Sequence, residues 1–336
     1  MPKVTPSSLP ISGLFAVAKP SGPTSMKLIN DMKPLINNSA LFVEKSKLGK
    51  VDAKQKKKGR FGRQAVKIGQ GGTLDPLADG VLVMGVGKGT KELSGFLDCV
   101  KEYRTTCLLG CETDSYDSEG ARVRSAPWRH ITKERIEDAL AQFRGDIEQT
   151  PPIFSALKMD GKPLHEYARE GIPLPRPIEK RKVTVHALEL VEWLGRDHSW
   201  RQPAKALTDE QKIALQKSLR GIDAAATVAD DPGASESESD EVPPAFVLRM
   251  TVSGGTYVRS IVHELAHAVG SAGHVVTLTR SKQGRFALEP SGEELGCVSW
   301  DVFEKAIDEG IAAEPGEDGL KDWEREVMNH LQVVDS

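Results

Sequence analysis

The sequence predicts an α+β protein, in which strands and helices follow one another without the regular alternation of a doubly wound sheet. Several short segments are apolar throughout or alternate apolar with polar residues, as buried and half-buried strands do. Other segments repeat their apolar residues every three or four positions, which is typical of helices packed against a core. With 336 residues the chain is long enough to bury a substantial core, as one large domain or two small ones.

The predicted strands are spread over the middle of the chain. Residues 81–86 are a continuous apolar run, and residues 103–109 alternate like a half-buried strand. Residues 182–190 and 245–253 read as two further strands. The second of these places four apolar residues on one side: Phe246, Leu248, Met250 and Val252.

The predicted helices are marked by caps and by apolar faces. Thr132 is the expected N-cap of a helix that buries Ile136, Leu140 and Phe143. The acidic residues 291–336 are predicted to form two helices.

Charge is unevenly distributed. Residues 222–242 carry seven acids and no base, and residues 291–336 carry thirteen acids and three bases. The remainder of the chain is therefore basic although the whole has a net charge of -3, and this remainder is suited to a polyanion. Its densest part, residues 45–67, has ten Lys or Arg and one acid. We expect residues 196–244 to be an insertion with a disordered acidic end.

Composition restricts the class of protein. No apolar run is long enough for a membrane span, and the first ten residues lack the pattern of a secretory signal, so we expect a soluble intracellular protein. The four cysteines have neither metal-site spacing nor the density of a disulfide scaffold, and we expect free thiols.

The segment QGGTLDPLADGVLVMGVGKGTK, residues 70–91, is rich in glycine and carries Asp75 between Leu74 and Pro76. It is not a P-loop, because Leu82 stands where the first glycine is required and Gly89 follows Gly87-Lys88. It is not a dinucleotide fingerprint either. On the residues alone, Asp75 either ends a turn or serves as a catalytic carboxylate.

A second candidate site is the sequence HELAH, which contains His263, Glu264 and His267. On a helix this spacing puts two imidazoles on one face for zinc, with a glutamate as base, as in metalloproteases. The third histidine of the longer form is displaced, and Glu289 is one candidate for a third ligand. The alternative is a helix that buries Ile261, Leu265 and Val269, with both histidines in ordinary structural roles, and we predict no metal.

Five motifs in order resemble the TruB family of pseudouridine synthases, from about residue 15 to 286. They are GGTLDPLADGVLVMGVGKGTK, KEYRTTCLLG, PPIFSALKMDGKPLHEYARE, SGGTYVRSIVHEL and LTRSKQGRF. The resemblance implies a mainly antiparallel mixed sheet with a central catalytic cleft flanked by helices and loops. It also implies an isomerase that converts uridine 55 in the T loop of tRNA to pseudouridine, without a cofactor.

The resemblance assigns roles to four residues at the reaction centre. Asp75 matches the catalytic aspartate, and Arg259 matches the arginine that pairs with it. Tyr257 matches a tyrosine near the base, suited to removal of the C5 proton. Tyr103 matches the aromatic residue that stacks on the flipped uracil.

Substrate contacts are implied for further residues within these motifs. Gly71 and Gly72 would let the loop approach the RNA backbone closely. Gln70 stands where many bacterial relatives have a histidine that helps to hold the opened T loop. Four cations are candidates for backbone contacts: Lys19, Lys88, Lys158 and Arg280. In the neighbouring basic segment, the candidates are Lys56, Lys57, Lys58 and Arg60.

The resemblance also shapes the expected organisation. We expect a catalytic domain over residues 1–290, interrupted at 45–67 and 196–244, and a C-terminal extension over 291–336 that is too short for an RNA-binding PUA module. A monomer without guide RNA is expected, in the nucleus or mitochondrion by family resemblance, or in the cytoplasm. Two alternatives stay open: a guide-dependent synthase of the dyskerin class, and a tRNA-folding chaperone whose catalysis is secondary.

Overall fold

The computed structural model describes residues 9–48, 66–170, 172–220, 228–232 and 241–334. The basic cluster Lys56–Arg60 and most of the acidic run at 234–241 lie outside them. The helices are α1 Ser25–Asn37, α2 Leu93–Asp98, α3 Lys133–Ala139, α4 Leu164–Glu170, α5 Asp209–Arg220, α6 Val258–Ala268, α7 Trp300–Glu309 and α8 Asp322–His330. The strands are β1 Gly13–Lys19, β2 Ile68–Gln70, β3 Asp79–Val86, β4 Lys101–Leu109, β5 Cys111–Thr113, β6 Arg122–Ser125, β7 Gly145–Gln149, β8 Lys158–Met159, β9 Lys162–Pro163, β10 Arg181–Gly195, β11 Ala245–Val252, β12 Gly273–Gln283, β13 Phe286–Ala287, β14 Cys297–Ser299 and β15 Gln332–Val333.

The chain divides into two compact units. The first unit comprises Met1–Cys99 and Arg280–Ser336, and the second comprises Val100–Thr279. Strand β12 therefore begins in the second unit and ends in the first.

The first unit is built around β1. Strand β1 pairs antiparallel with β3 and β15 and parallel with β14. Helices α7 and α8 bring Phe303 and Trp323 into the core, where Phe303 stacks on Phe15 of β1 with ring centroids 6.3 Å apart. The acidic C-terminal residues, predicted as two helices, thus form α7 and α8 and complete the core of this unit.

The second unit contains an antiparallel sheet in the order β4-β11-β10-β7. The side of β11 predicted to be apolar is fully buried, with Phe246, Leu248, Met250 and Val252 all at 0% exposure. Thr132 caps α3 by accepting a hydrogen bond from the Arg135 amide at 3.3 Å, as predicted. Helix α6 buries Ile261 and Leu265, as its helical pattern predicted.

The predicted fold class is confirmed. Of the strand pairs described above, β1 with β14 is parallel and the others are antiparallel. The helices do not alternate regularly with the strands along the chain. No helix among the described residues is long and apolar enough to cross a membrane. All four cysteines are free thiols, as expected.

Candidate active site

Asp75 lies in the first unit, on the short loop that leads from β2 into β3. The Asp75 carbonyl accepts a hydrogen bond from the Ala78 amide at 3.1 Å, which closes a turn around Pro76. The preceding residue is fixed from the start of α1, because Ser25 Oγ donates to the Leu74 carbonyl at 2.9 Å and accepts from the Leu74 amide at 3.0 Å. The backbone on both sides of the carboxylate is therefore held in place.

Lys19 holds the same loop through hydrogen bonds from its side chain. Its side chain is almost completely buried, at 2% exposure. The ammonium donates to the carbonyls of Ala78 at 2.6 Å, Pro76 at 3.3 Å and Pro20 at 2.9 Å. A buried ammonium is stable only when its donors are satisfied, so these carbonyls fix it beside the loop. This geometry gives Lys19 a loop-holding role, and its predicted RNA contact stays a prediction.

Arg280 holds the loop at its other end. Its guanidinium is also 2% exposed, and Nε donates to the Val81 carbonyl at 2.7 Å. Nη1 lies 3.4 Å from the Thr73 carbonyl. The backbone of Arg280 packs against Gly80, where a Cβ would come within 2.3 Å of the Arg280 carbonyl oxygen. Arg280 thus links the residues before and after Asp75, and a contact with RNA phosphate stays a prediction.

The two glycines before Asp75 are required by the loop itself. Gly72 has φ +116°, a conformation that side-chain-bearing residues rarely adopt. At Gly71 a Cβ would lie 2.7 Å from the Cβ of Phe96, and the Gly71 carbonyl accepts a hydrogen bond from Gln283 Nε2. Backbone conformation and internal packing therefore account for glycine at both positions. The predicted close approach of Gly71 and Gly72 to the RNA backbone stays a prediction.

The other predicted binding residues of the first unit are Gln70 and Lys88. Gln70 Nε2 donates to Thr73 Oγ1 at 3.1 Å, which ties the side chain to the catalytic loop. Its Oε1 is buried without a partner among the described residues. Lys88 lies in a 3₁₀ turn after β3, and its side chain is exposed and accessible to a phosphate.

Arg259 lies in the second unit, in the first turn of α6, and is 3% exposed. Nη1 donates to the Ser115 carbonyl at 2.6 Å, and Nη2 donates to the Phe154 carbonyl at 2.9 Å. Two carbonyls from separate loops therefore fix the plane of the guanidinium. The predicted pair with Asp75 joins residues of the two units and stays a prediction.

Asp117 is a functional candidate that the sequence reasoning missed. Its Oδ2 lies 3.7 Å from Arg259 Nη1, and the side chain is buried. Oδ1 accepts hydrogen bonds from Ser115 Oγ at 2.6 Å and from the Glu119 amide at 3.1 Å, which orient the carboxylate. The only signal in the sequence is the acidic turn TDSYDSEG, which does not indicate an arginine 142 positions later.

The two predicted tyrosines are also in the second unit. Tyr103 lies on β4 opposite Met250 and is 7% exposed. Tyr257 immediately precedes α6, and its backbone is clamped by Gln149: Oε1 accepts from the Tyr257 amide at 2.7 Å, and Nε2 donates to the Tyr257 carbonyl at 2.9 Å. Strands of the sheet therefore fix the backbone of both tyrosines: β4 contains Tyr103, and β7 contains Gln149, which holds Tyr257.

Lys158 begins a two-stranded hairpin of the second unit, formed by β8 and β9. The turn of this hairpin has positive φ at Asp160 and Gly161, which allows a two-residue connection. The Lys158 side chain is exposed, so it remains a candidate for an RNA contact.

The fold resembles that of a chain in a solved protein complex. A chain in the Cbf5–Nop10–Gar1 complex superimposes with a TM-score of 0.51 over 96% of this chain and 60% of that chain. The sequence identity is 20%, so this likeness shows the fold alone. It is an α+β fold of the type that the sequence motifs predicted.

Sequence comparison then identifies the family. Residues 58–205 match the family described as TruB family pseudouridylate synthase (N terminal domain). The chain is 38% identical to tRNA pseudouridine synthase 4 of Schizosaccharomyces pombe, over 86% of this chain and 84% of that protein. It is 35% identical to tRNA pseudouridine synthase 4 of Saccharomyces cerevisiae, over 94% and 90%. It is 36% identical to pseudouridylate synthase TRUB1 of Homo sapiens, over 84% and 63%. The chain belongs to the TruB family of pseudouridine synthases.

Proposed function

We propose that this chain converts uridine to pseudouridine in tRNA, with Asp75 as the catalytic carboxylate. The observation that carries the proposal is the position of Asp75. In a chain 38% identical to a tRNA pseudouridine synthase, Asp75 lies on a loop whose backbone is fixed by Ser25 and Lys19. A carboxylate held in this way needs little reorganisation before it acts on substrate.

The reaction is an isomerisation that requires no external oxidant or reductant. The N1–C1′ glycosidic bond breaks, the uracil turns over, and C5 bonds to C1′. C5 then loses its proton and N1 gains one, so the atoms balance. The Asp75 carboxylate is suited to attack or stabilise the electron-poor C1′, or to take a sugar proton in an elimination route.

The residues of the second unit have complementary roles in this proposal. Arg259 supplies a positive charge of fixed orientation for the Asp75 carboxylate. Tyr257, with its backbone clamped by Gln149, is the candidate for the C5 proton. Tyr103 provides a stacking surface for the flipped base.

The finer specificity that we propose is uridine 55 of the T loop, modified by a monomer without guide RNA. The support is the similarity to proteins named tRNA pseudouridine synthase 4, together with exposed cations such as Lys88 and Lys158 that suit a tRNA backbone.

The test uses the purified 336-residue chain and an unmodified tRNA transcript as the only RNA. Position-resolved detection of pseudouridine should find it at position 55, and a transcript with cytidine at that position should stay unmodified. Asp75→Asn should lose turnover by several orders of magnitude while tRNA affinity is retained, because the amide preserves shape and removes charge.

The matched control is Asp98→Asn, an exposed aspartate of the same unit on α2, which should leave turnover unchanged. Near-normal turnover of Asp75→Asn would contradict the catalytic assignment. Modification that appears only after a second RNA is added would contradict guide independence, and modification at another uridine would contradict position 55.

A further inference from the structure

The sequence HELAH has no part in the proposed chemistry, yet the structure gives its histidines a specific arrangement. His263 and His267 are one turn apart on α6, and their ring centroids are 4.4 Å apart. His263 also stacks on Tyr116 with centroids 3.9 Å apart, which fixes its ring. The two imidazoles therefore face the same side of the helix, as the spacing predicted.

A carboxylate from a neighbouring strand faces them. Glu112 of β5 places Oε2 2.7 Å from His267 Nε2. One donor atom each from Glu112, His263 and His267 lies within 4.8 Å of the other two. Ligands of a tetrahedral zinc ion, each about 2.1 Å from the metal, lie about 3.4 Å from one another. The 2.7 Å contact between Glu112 Oε2 and His267 Nε2 is shorter than this spacing and would lengthen on binding, whereas the other two separations are at most 4.8 Å.

We propose that Glu112, His263 and His267 bind one divalent transition-metal ion of the zinc class. Two imidazoles and one carboxylate are the donors that zinc accepts readily, whereas magnesium and calcium prefer sites made of oxygen. The third ligand is thus Glu112, and Glu289, considered from the sequence, lies in the first unit and is not part of the group.

The hydrogen bonds around His267 show where an ion would bind. Nε2 lies 2.7 Å from Glu112 Oε2 and 3.0 Å from Arg124 Nη2. An ionised carboxylate only accepts, so Nε2–H donates to Glu112, and Arg124 Nε and Nη2 donate to the same Oε2, each at 3.2 Å. A metal ion would take the place of the Nε2 proton between Nε2 and Oε2, and Arg124 would keep Asp231 as its partner at 2.6 Å.

The net charge around the three proposed ligands allows a metal cation to bind although Arg124 is close. The guanidinium of Arg124 pairs with Glu112 at 3.2 Å and with Asp231 at 2.6 Å, so one cation is offset by two anions. With neutral imidazoles the cluster carries a net negative charge. Because Arg124 remains close and repels a dication, we expect micromolar rather than nanomolar affinity.

The three donors differ in their exposure to solvent. The Glu112 side chain is 7% exposed, and His263 is half-buried. Access to the group is provided by His267, whose side chain is 41% exposed.

The consequence of binding would be a link between α6 and β5. The proposal does not depend on the proposed function, because the metal acts on stability. The experiment uses the 336-residue chain, stripped of metal with a chelator that is then removed by dialysis. Titration calorimetry with zinc chloride should show one site per chain, and zinc should raise the thermal midpoint. Magnesium chloride at the same concentration should do neither.

The diagnostic variant is His267→Ala, because this ligand is half-exposed and its loss should not prevent folding. It should weaken zinc binding at least 10-fold and abolish the zinc-dependent shift in the midpoint. His186→Ala, an exposed histidine of the same unit on β10, should bind zinc like the wild type. Absence of zinc binding, or equal binding by His267→Ala, would overturn the proposal and leave the cluster as a charge network.

Discussion

Arg259 and Asp117 form a buried ion pair within the second unit. Arg259 Nη1 lies 3.7 Å from Asp117 Oδ2, and the two side chains are 4% and 8% exposed. The pair comes from α6 and from the turn between β5 and β6, so it fixes a helix terminus to a loop. Within the second unit, the guanidinium contacts one carboxylate and two backbone carbonyls. Its orientation therefore depends on the loops that carry Asp117, Ser115 and Phe154.

The first prediction concerns Asp117. Asp117→Asn removes the charge that balances Arg259, and we expect the single-turnover rate on tRNA to fall about 10- to 100-fold. Affinity for tRNA should change little, because the guanidinium would be misaligned rather than lost. The control is Asp114→Asn, in the same turn, since an asparagine there can still accept the Ala121 amide. Equal losses in both variants would indicate general damage to the turn.

The second prediction concerns the shape of Arg259. Its two terminal nitrogens donate in different directions, to Ser115 and to Phe154. A lysine keeps the charge but cannot make both bonds in the same geometry. We expect Arg259→Lys to lower the single-turnover rate by about 100-fold. A rate equal to that of the wild type across the pH range would show that charge alone matters.

The third prediction concerns the backbone of the catalytic loop. Gly72 has φ +116° but no atom closer than 3.5 Å to the position of a Cβ, so an alanine there meets conformational strain without a clash. Gly72→Ala should destabilise the protein by about 1–2 kcal/mol and reduce turnover.

The control for this change is Gly95→Ala within α2, where a Cβ meets nothing within 4 Å. It should stabilise by about 0.5–1 kcal/mol, because alanine favours a helix. Chemical unfolding followed by circular dichroism gives both values. Destabilisation of the same size in the two variants would contradict the assignment of strain to Gly72.

The fourth prediction concerns pH. His274 is fully buried, and burial lowers the pKa of its ring to about 4, although the hydrogen bond from Nδ1 to the Cys111 carbonyl opposes this shift. The unfolded chain takes up a proton near pH 6.5 and the folded chain only near pH 4, so stability falls as the pH drops between these values.

Between pH 7 and pH 5 the wild type should therefore lose about 2 kcal/mol more stability than His274→Asn, which keeps a donor for Cys111 and does not titrate. Unfolding in urea at the two pH values measures the difference. Identical pH dependence in the two proteins would show that His274 is not the titrating group.

The fifth prediction concerns Lys56, Lys57, Lys58 and Arg60 of the basic segment, which lie outside the described residues and are known only from the sequence. Replacement of Lys56, Lys57, Lys58 and Arg60 by alanine should weaken binding to all tRNAs alike. The slope of log affinity against log salt should become shallower by roughly 0.7–0.9 per lost phosphate contact. The rate at saturating tRNA should hardly change.

A charge-preserving variant, in which the three lysines become arginine and Arg60 becomes lysine, should keep the wild-type slope. An unchanged slope in the alanine variant would show that the segment makes no phosphate contact. A large fall in the saturated rate would instead assign it to opening of the T loop.

The sequence by itself determined the elements and the family. Apolar alternation over residues 245–253 and the apolar run at 81–86 specify strands, because each side chain must face a core or solvent. Thr132 specifies a helix start, because its hydroxyl satisfies an amide that lacks a partner in the helix. The five TruB motifs singled out Asp75 and Arg259, and comparison with known proteins confirmed the family.

Only the tertiary structure decided which distant groups meet. Lys19 and Arg280 are candidate RNA-binding cations in the sequence. Folding buries both, and Lys19 Nζ and Arg280 Nε donate to the carbonyls of Ala78 and Val81, beside Asp75. The contact of Asp117 with Arg259, and that of Glu112 with the histidines of HELAH, join positions more than 140 residues apart. No periodic pattern encodes such contacts, because burial of a charge forces it to find a partner, and the sheet and helix packing determine which partner is within reach.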